Sequence, residues 1–410
     1  MQNEIFSYID SQRQLLIDLQ RGMTAIPAIS PDSDGSGEAE KALFIKGQLA
    51  RLGFPETADV NAPDSRVPAG FRPNFYTVIP GRDTSKTIWV VSHIDVVPPG
   101  DMSLWRTKPY ELAVDGDFIY GRGVEDNQQA IVSGIVACKA LLDLGIVPAC
   151  NVGLLFLSDE ETNNHYGAHY VAENASHLFG PDDVMLIPDF GNRDGSLLEV
   201  AEKGVLWLKF TVEGKQCHGS TPDEGVNSLV GASDLVLRMT GLNQTFDAMD
   251  DLFKPPVSTF TPTRKDANVP NINTIPGKDV FYMDCRLLPA LASKEVLAEV
   301  ERLMAETEAQ FGVKCGYEIV ELREPAPASD PSHPFIQNLV RSARDVHGIS
   351  PKPAGIGGNT VAAVFRKKGI PCVVWARLVS NAHMPNECSC ISWALGDAKV
   401  ISSVALVCGW

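Results

Sequence analysis

The sequence predicts an α/β fold: a mostly parallel sheet flanked by helices, with an inserted α+β unit of ferredoxin-like order. Three observations carry this prediction. The short runs Thr87–Val91, Val152–Leu157, Val184–Ile187 and Cys372–Ala376 are apolar on both faces, as strands inside a helix-covered sheet are. Helical patterns stand between them, giving the strand, helix, strand recurrence of α/β proteins. Residues from about 200 to 323 differ, alternating like strands with one wet face.

The first 52 residues carry two helical patterns. The second, around Glu38 to Leu52, sets Leu43, Leu49 and Leu52 at helical spacing and stops at Gly53. A helix of about four turns is expected from Asn127 to Leu144, with Ile131, Ile135, Leu141 and Leu142 on related faces and Gly145 as its stop. Another is expected from about Asn359 to Lys368, ending at Gly369-Ile-Pro371. Within the insert, Gly204 to Val212 reads as a strand and Asn227 to Met239 as a helix. Two extended segments follow, Asn271 to Ile275 and Val280 to Leu287, hinged at Pro276-Gly277. Ser293 to Phe311 is an amphipathic helix and Lys314 to Leu322 a last strand. The order β-α-β-β-α-β is the ferredoxin-like pattern. Pro325 to Pro331 looks like the exit linker. The expected domains are residues 1–199 with 325–410, and 200–324 inserted between them.

With 410 residues the chain has room for two or three domains, and 44% hydrophobic residues suffice for a core. A net charge of −16 argues against nucleic acid, which needs a dense basic surface, and against anionic membranes. The start MQNEIFSYID lacks a basic region and apolar core, so no signal peptide is expected, and no apolar run suits a membrane span. Nine scattered cysteines without a CxxC read as reduced thiols in a cytoplasmic protein. Cys388-Ser-Cys390 could bind metal or form a disulfide, but a lone CxC is read as ordinary packing.

Each apolar run ends in polar residues of one kind. Ser92-His93-Ile-Asp95 follows the first run, Ser158-Asp159-Glu160-Glu161 the second, Asp189 the third and Asn381-Ala-His383 the fourth, while Gly121-Arg-Gly-Val-Glu-Asp126-Asn lies between the first two. Sites in open α/β sheets form beyond the carboxyl ends of the strands, so His93, Asp126, Glu161, Asp189 and His383 are expected to converge there. Any one of these alone would ordinarily be a polar side chain facing water at a strand end. Imidazoles mixed with carboxylates suit zinc or a related first-row ion better than calcium or magnesium. Five ligands exceed one tetrahedral ion and fit two metals ~3.5–4 Å apart. Asp95 can take the second N–H of His93 and fix its tautomer. Glu160 adds a base, because neighbouring side chains in extended chain diverge and cannot share one task. His165, His169 and His177 are read as surface or core, and His333 and His347 as surface.

These motifs, Ser92 to Pro98, Tyr120 to Asn127, Ser158 to Glu161 and Ala382-His383-Met-Pro-Asn-Glu387, resemble those of the di-zinc metallopeptidase and amidohydrolase family. That family includes acetylornithine deacetylase, succinyl-diaminopimelate desuccinylase, carboxypeptidase G, aminoacylase and carnosine dipeptidase. The resemblance spans nearly the whole chain. It implies two Zn2+ ions, with Co2+ or Mn2+ as substitutes. Asp126 would bridge both, with His93 and Asp189 completing one and Glu161 with His383 the other. It also implies Glu160 as general base, Asp95 as the orienter of His93, and a cis peptide after Asp126. The insert resembles the family's lid and dimerisation domain, implying a homodimer. In Gln216-Cys-His218-Gly, His218 corresponds to the family's oxyanion-stabilising histidine, with a loop histidine capping Gly219 to Pro222 as the other reading, and Arg286 and Asn273 correspond to substrate-carboxylate contacts, while the free N–H groups of the Gly358 turn are a further carboxylate holder read from the turn itself. A structural salt bridge to the lid's acids is the other reading of Arg286.

Two departures stand out. Gln128-Gln129 replaces the basic or small residue that often follows the bridging pair, and Gly357-Gly358-Asn359-Thr360 lacks the aspartate of the usual Gly-Gly-Thr-Asp turn. The second departure weakens any direct transfer of acetylornithine or succinyl-diaminopimelate specificity. That turn is expected to open a helix and offer free N–H groups. GxSxG, HExxH and Walker motifs are absent, and Gly355-Ile-Gly357-Gly358 lacks the context of a dinucleotide site. The implied activity is hydrolysis of the amide of an N-acyl amino acid. Alternatives are a dipeptidase or carboxypeptidase of the same family, or a non-catalytic binding protein on the fold.

Overall fold

The computed structural model describes residues 1–162 and 164–410, which divide into two compact units. The first comprises residues 1–200, 329–354 and 360–410; the second comprises 201–328 and 355–359. Residues 355–359, expected in the larger domain, thus pack with the smaller one.

The first unit is built on an eight-stranded sheet. At its centre lie β1 (Asp83–His93), β2 (Cys150–Leu157), β3 (Val184–Asn192) and β4 (Cys372–Arg377), in the order β2-β1-β3-β4 and mutually parallel. These are the four apolar runs of the sequence. Antiparallel strands flank them: Phe75–Ile79 beside β2 and Leu197–Glu202 beside β4. Along β1 and β2, Trp89, Val91, Leu155 and Leu157 pack with Met185, Ile187 and Val374 against the helices Ala168–Asn174 and Ala362–Arg366. The opposite face, which includes Val90 and Leu154, meets α1 (Gln128–Asp143) at Gly134. α1 is nearly all buried because it also packs on the helix Ile391–Ala405. It stops where expected: Gly145 has φ +63°, which glycine adopts without steric cost.

The second unit has the ferredoxin-like order β-α-β-β-α-β. Its four-stranded antiparallel sheet runs Thr259–Lys265, Lys278–Leu287, Gly204–Glu213, Lys314–Arg323. Leu206, Leu208, Phe210 and Val212 alternate inward with Phe281, Met283 and Cys285, against the helices Ser228–Thr240 and Ser293–Phe311. Full burial of one such apolar side chain contributes roughly 1.5–3 kcal/mol.

Two expectations are corrected here. The second strand of the insert is Thr259–Lys265, not Asn271 to Ile275, of which only Thr274–Ile275 is extended, paired with Cys217–His218. This strand contains Pro262 and lies at the sheet edge, where a missing N–H is tolerated. The helix expected from Asn359 to Lys368 is only Ala362–Arg366, with Ala362 N–H donating to Thr360 Oγ1 at 3.1 Å. The Gly357-Gly358 turn therefore does not present a helix N-terminus. No helix among the described residues is long and apolar enough to cross a membrane.

Candidate metal centre

Polar residues gather beyond the carboxyl ends of the parallel strands. His93 ends β1, Glu160 and Glu161 follow β2, Asp189 lies in the last part of β3, and His383 lies beyond β4. Asp126 immediately precedes Asn127, the N-cap of α1, and the Asp126–Asn127 peptide is cis.

These side chains form two triads. In one, His93 Nε2 lies 2.9 Å from Asp126 Oδ1 and 3.4 Å from Asp189 Oδ1. In the other, His383 Nε2 lies 3.1 Å from Asp126 Oδ2 and 2.9 Å from Glu161 Oε2. Within each triad the ligand atoms all lie within 4.8 Å of one another. The two oxygens of Asp126 thus face different imidazoles. Glu161 Oε1 is buried and accepts no hydrogen bond among the described residues. A donor set of two imidazoles and three carboxylates, with one buried acceptor left over, fits a pair of first-row cations. His93 is sealed, its side chain 2% exposed, while that of His383 is 55% exposed, so the centre opens on the His383 side.

The charges respond to this crowding. Burial pulls the His93 pKa down, but the Asp189 charge and hydrogen bonds to Asp126, Asp189 and Asp95 outweigh it and leave it well above its ordinary value. Hydrogen bonds to Asp126 and Glu161 lift His383 to about 10. Burial and the Asp126 charge push Glu161 up to about 7. Burial, then the charges of Asp189, Glu161 and Asp126, push Glu160 well above the usual carboxylate range against the pull of His93.

Without metal, both imidazoles therefore hold protons at neutral pH, whereas a cation takes the neutral ring. The raised His383 pKa adds stability to the metal-free fold that is whole below the free value of about 6.5. It is lost as pH rises through about 10. Metal uptake is expected to release protons, and affinity to weaken as pH falls from about 10. Calorimetry in buffers of different ionisation enthalpy measures this; a heat of binding independent of buffer at pH 7 would contradict it.

The supports of the centre come largely from backbone contacts. His93 Nδ1 lies 3.1 Å from the Asp95 carbonyl oxygen and 3.4 Å from its carboxylate. The Asp95 carboxylate also accepts the N–H groups of Glu160 at 3.1 Å and Glu161 at 3.0 Å, tying the two strand ends together. Asn127 donates to Asp189 and accepts the His93 N–H at 3.3 Å. Asp159 has φ +66°, a left-handed conformation, and accepts the Tyr166 N–H at 2.9 Å. Arg72, wholly buried and bonded to Glu38, places Nη1 3.4 Å from Asp159. Sequence reasoning missed Asn127, Arg72 and this second role of Asp95. An acid or amide that receives main-chain N–H groups leaves no spacing signature.

The remaining predicted residues lie in the second unit. His218 is exposed in the short pairing with Thr274–Ile275, its Nδ1 2.7 Å from Ser220 Oγ. Asn273 is exposed, and its side chain accepts a hydrogen bond from Asn271 at 2.5 Å. Arg286 grips Asp284 through Nε at 2.8 Å and Nη2 at 3.0 Å, and donates from Nη1 to the Gly357 carbonyl at 2.9 Å. Gly358 is exposed beside that contact.

Outside the site, His347 is not a surface residue as expected. Its side chain is 6% exposed, with Nε2 3.4 Å from Asp397 Oδ1 and the ring against Trp375. Gln129 is structural: it donates to the Arg377 carbonyl at 2.9 Å and to Asp397 at 3.1 Å. Cys388 and Cys390 are buried in a strand paired with Phe118–Tyr120, and the described cysteines are free thiols.

A sheet of this topology, gathering two triads of imidazole and carboxylate at its carboxyl edge, defines a metal-dependent hydrolase. Residues 89–406 match the model of peptidase family M20/M25/M40, and the chain belongs to that family. It is accordingly a metal-dependent hydrolase acting on amide bonds, of a family in which dinuclear metal binding is found. A Methanocaldococcus jannaschii protein described as an uncharacterized metallohydrolase is 37% identical over 389 residues, 90% of this chain and 94% of the relative. A succinyl-diaminopimelate desuccinylase of Nitratiruptor is 25% identical over 378 residues, 91% and 94% of the two chains. The structure of a Saccharomyces cerevisiae dipeptidase superposes with a TM-score of 0.74 at 19% identity, covering 99% of this chain and 98% of that one.

Proposed function

We propose that the chain hydrolyses the amide of an N-acyl amino acid at a centre of two Zn2+ ions, with Co2+ or Mn2+ able to serve. The observation that carries this is the division of Asp126 between two triads, with Glu160 on the adjoining backbone. Cations bound there supply Lewis acidity to the scissile carbonyl and acidify a water molecule. His93, Asp126 and Asp189 would hold one, and Asp126, Glu161 and His383 the other. Glu160 takes a proton from the attacking water and returns it to the leaving nitrogen. Asp95 fixes the His93 ring and the backbone of Glu160. His218 would donate to the oxyanion. Arg286, Asn273 and Gly358 would meet the substrate carboxylate; Arg286 already touches the Gly357-Gly358 turn within the second unit.

The desuccinylase relative and the size of the second unit support the deacylase reading. A dipeptidase or carboxypeptidase is the second reading, favoured by the Tyr120 to Asn127 motif and the fold shared with the yeast dipeptidase. A cytoplasmic homodimer formed through the second unit completes the proposal. A panel of N-acetyl, N-succinyl and N-formyl amino acids with dipeptides, using zinc-loaded protein and Glu160→Gln as blank, decides between the two. Arg286→Ala is expected to raise KM about 10–100-fold on carboxylated substrates, the worth of a charged hydrogen-bonded contact. An unchanged KM would remove Arg286 from the site.

A further inference from the structure

Two loops, 121–127 and 378–387, supply Asp126 and His383. Each loop holds the other through a buried glutamate. Glu387, from the His383 loop, accepts the N–H groups of Glu125 at 2.9 Å and Asp126 at 3.1 Å through Oε1. Its Oε2 accepts the Gly123 N–H at 3.0 Å and Arg122 Nη1 at 2.6 Å. In return Glu125, from the Asp126 loop, accepts the N–H groups of Asn381 at 2.8 Å, Ser380 at 3.2 Å and Val379. Arg122 Nη2 donates to the His383 carbonyl at 3.3 Å. Every oxygen of the two carboxylates thus accepts at least one N–H.

The loop they hold is unusual. Ser380, His383 and Asn386 have φ of 64°, 64° and 62°, a left-handed region that non-glycine residues enter only when their surroundings impose it. An unbraced loop would relax and carry the His383 ring away from Asp126 and Glu161.

We infer that Glu125 and Glu387 are positioning residues that lock the two metal-binding loops together, Glu387 setting Asp126 and Glu125 setting His383. This rests on the two-metal reading above. An amide in place of either carboxylate would turn an NH2 group toward N–H donors. Because Asp126 belongs to both triads, Glu387→Gln is expected to weaken both ions. Glu125→Gln should weaken only the ion of the Glu161–His383 triad. The expected size is the 10–100-fold loss of metal affinity typical when a ligand's orienting partner is removed.

The test is stepwise Co2+ titration of metal-stripped protein, read by visible absorption and chelator competition. The expected result is two ions on wild type, one normal and one weakened in Glu125→Gln, and two weakened in Glu387→Gln with altered cobalt bands. Fewer than two ions on wild type would sink the two-metal reading itself. Two ions on wild type, with both variants matching its constants and spectrum, would overturn the brace. Hydrogen exchange on metal-free wild type serves if a variant does not fold. The amides of Gly123, Glu125, Asp126, Ser380 and Asn381 should be protected together; exchange at open-loop rates would overturn the proposal equally.

Discussion

Glu160→Gln is expected to lower kcat about a thousandfold, inside the 10²–10⁴ range of a positioned acid–base group, with KM and metal content unchanged. The substitution is nearly isosteric. The Glu160 backbone is held independently of its side chain, because its N–H donates to Asp95 at 3.1 Å. What the amide loses is the ability to accept a proton and give it back. In the metal-free protein burial and the surrounding acids push this carboxyl well above the usual range. Bound cations will draw that pKa down again, which keeps the group ionised before attack. Steady-state kinetics on the best panel substrate, with metal analysis of the same sample, measures the effect. A kcat within about threefold of wild type would assign the proton transfer to another group.

The parts of this centre that the sequence exposed are those where residue type and strand position coincide. The apolar runs inside β1 to β4 are short and apolar on both faces, a texture that few other elements share, and His93, Glu161, Asp189 and His383 stand just past the ends of those runs. The parts it concealed depend on contacts that many residue types could make. Pro262 hid an edge strand, because a proline is neutral there and disruptive one strand further in. The burial of His347 depends on Asp397, fifty residues away on the helix Ile391–Ala405, and no local pattern announces such a pair. Glu125 and Glu387 were visible only as acids beside ligand positions. Their partners are main-chain N–H groups, which every residue but proline possesses. The one usable signal was an acid inside a ligand motif with an apolar neighbour on one side, Val124 before Glu125 and Cys388 after Glu387.

Asp126→Ala is expected to abolish activity and to leave at most about one weakly held ion, since catalytic zinc ordinarily needs three protein ligands and each triad would keep two. Asp126→Asn is the sharper experiment. Its single carbonyl oxygen can serve one triad, so it should retain about one ion per chain with activity at least as impaired as in Glu160→Gln. The geometry leaves little room for another result: Oδ1 stands 2.9 Å from His93 Nε2 and Oδ2 3.1 Å from His383 Nε2, and the side chain is 16% exposed. Added zinc should raise the unfolding temperature of wild type and hardly move that of Asp126→Ala, because a ligand stabilises only the fold that binds it, by about 2.7 kcal/mol at a hundred times Kd. Circular dichroism of the metal-free proteins separates lost binding from lost folding. Two tightly bound ions in Asp126→Asn would mean that the triads are independent sites, and the shared carboxylate would lose its place in the mechanism.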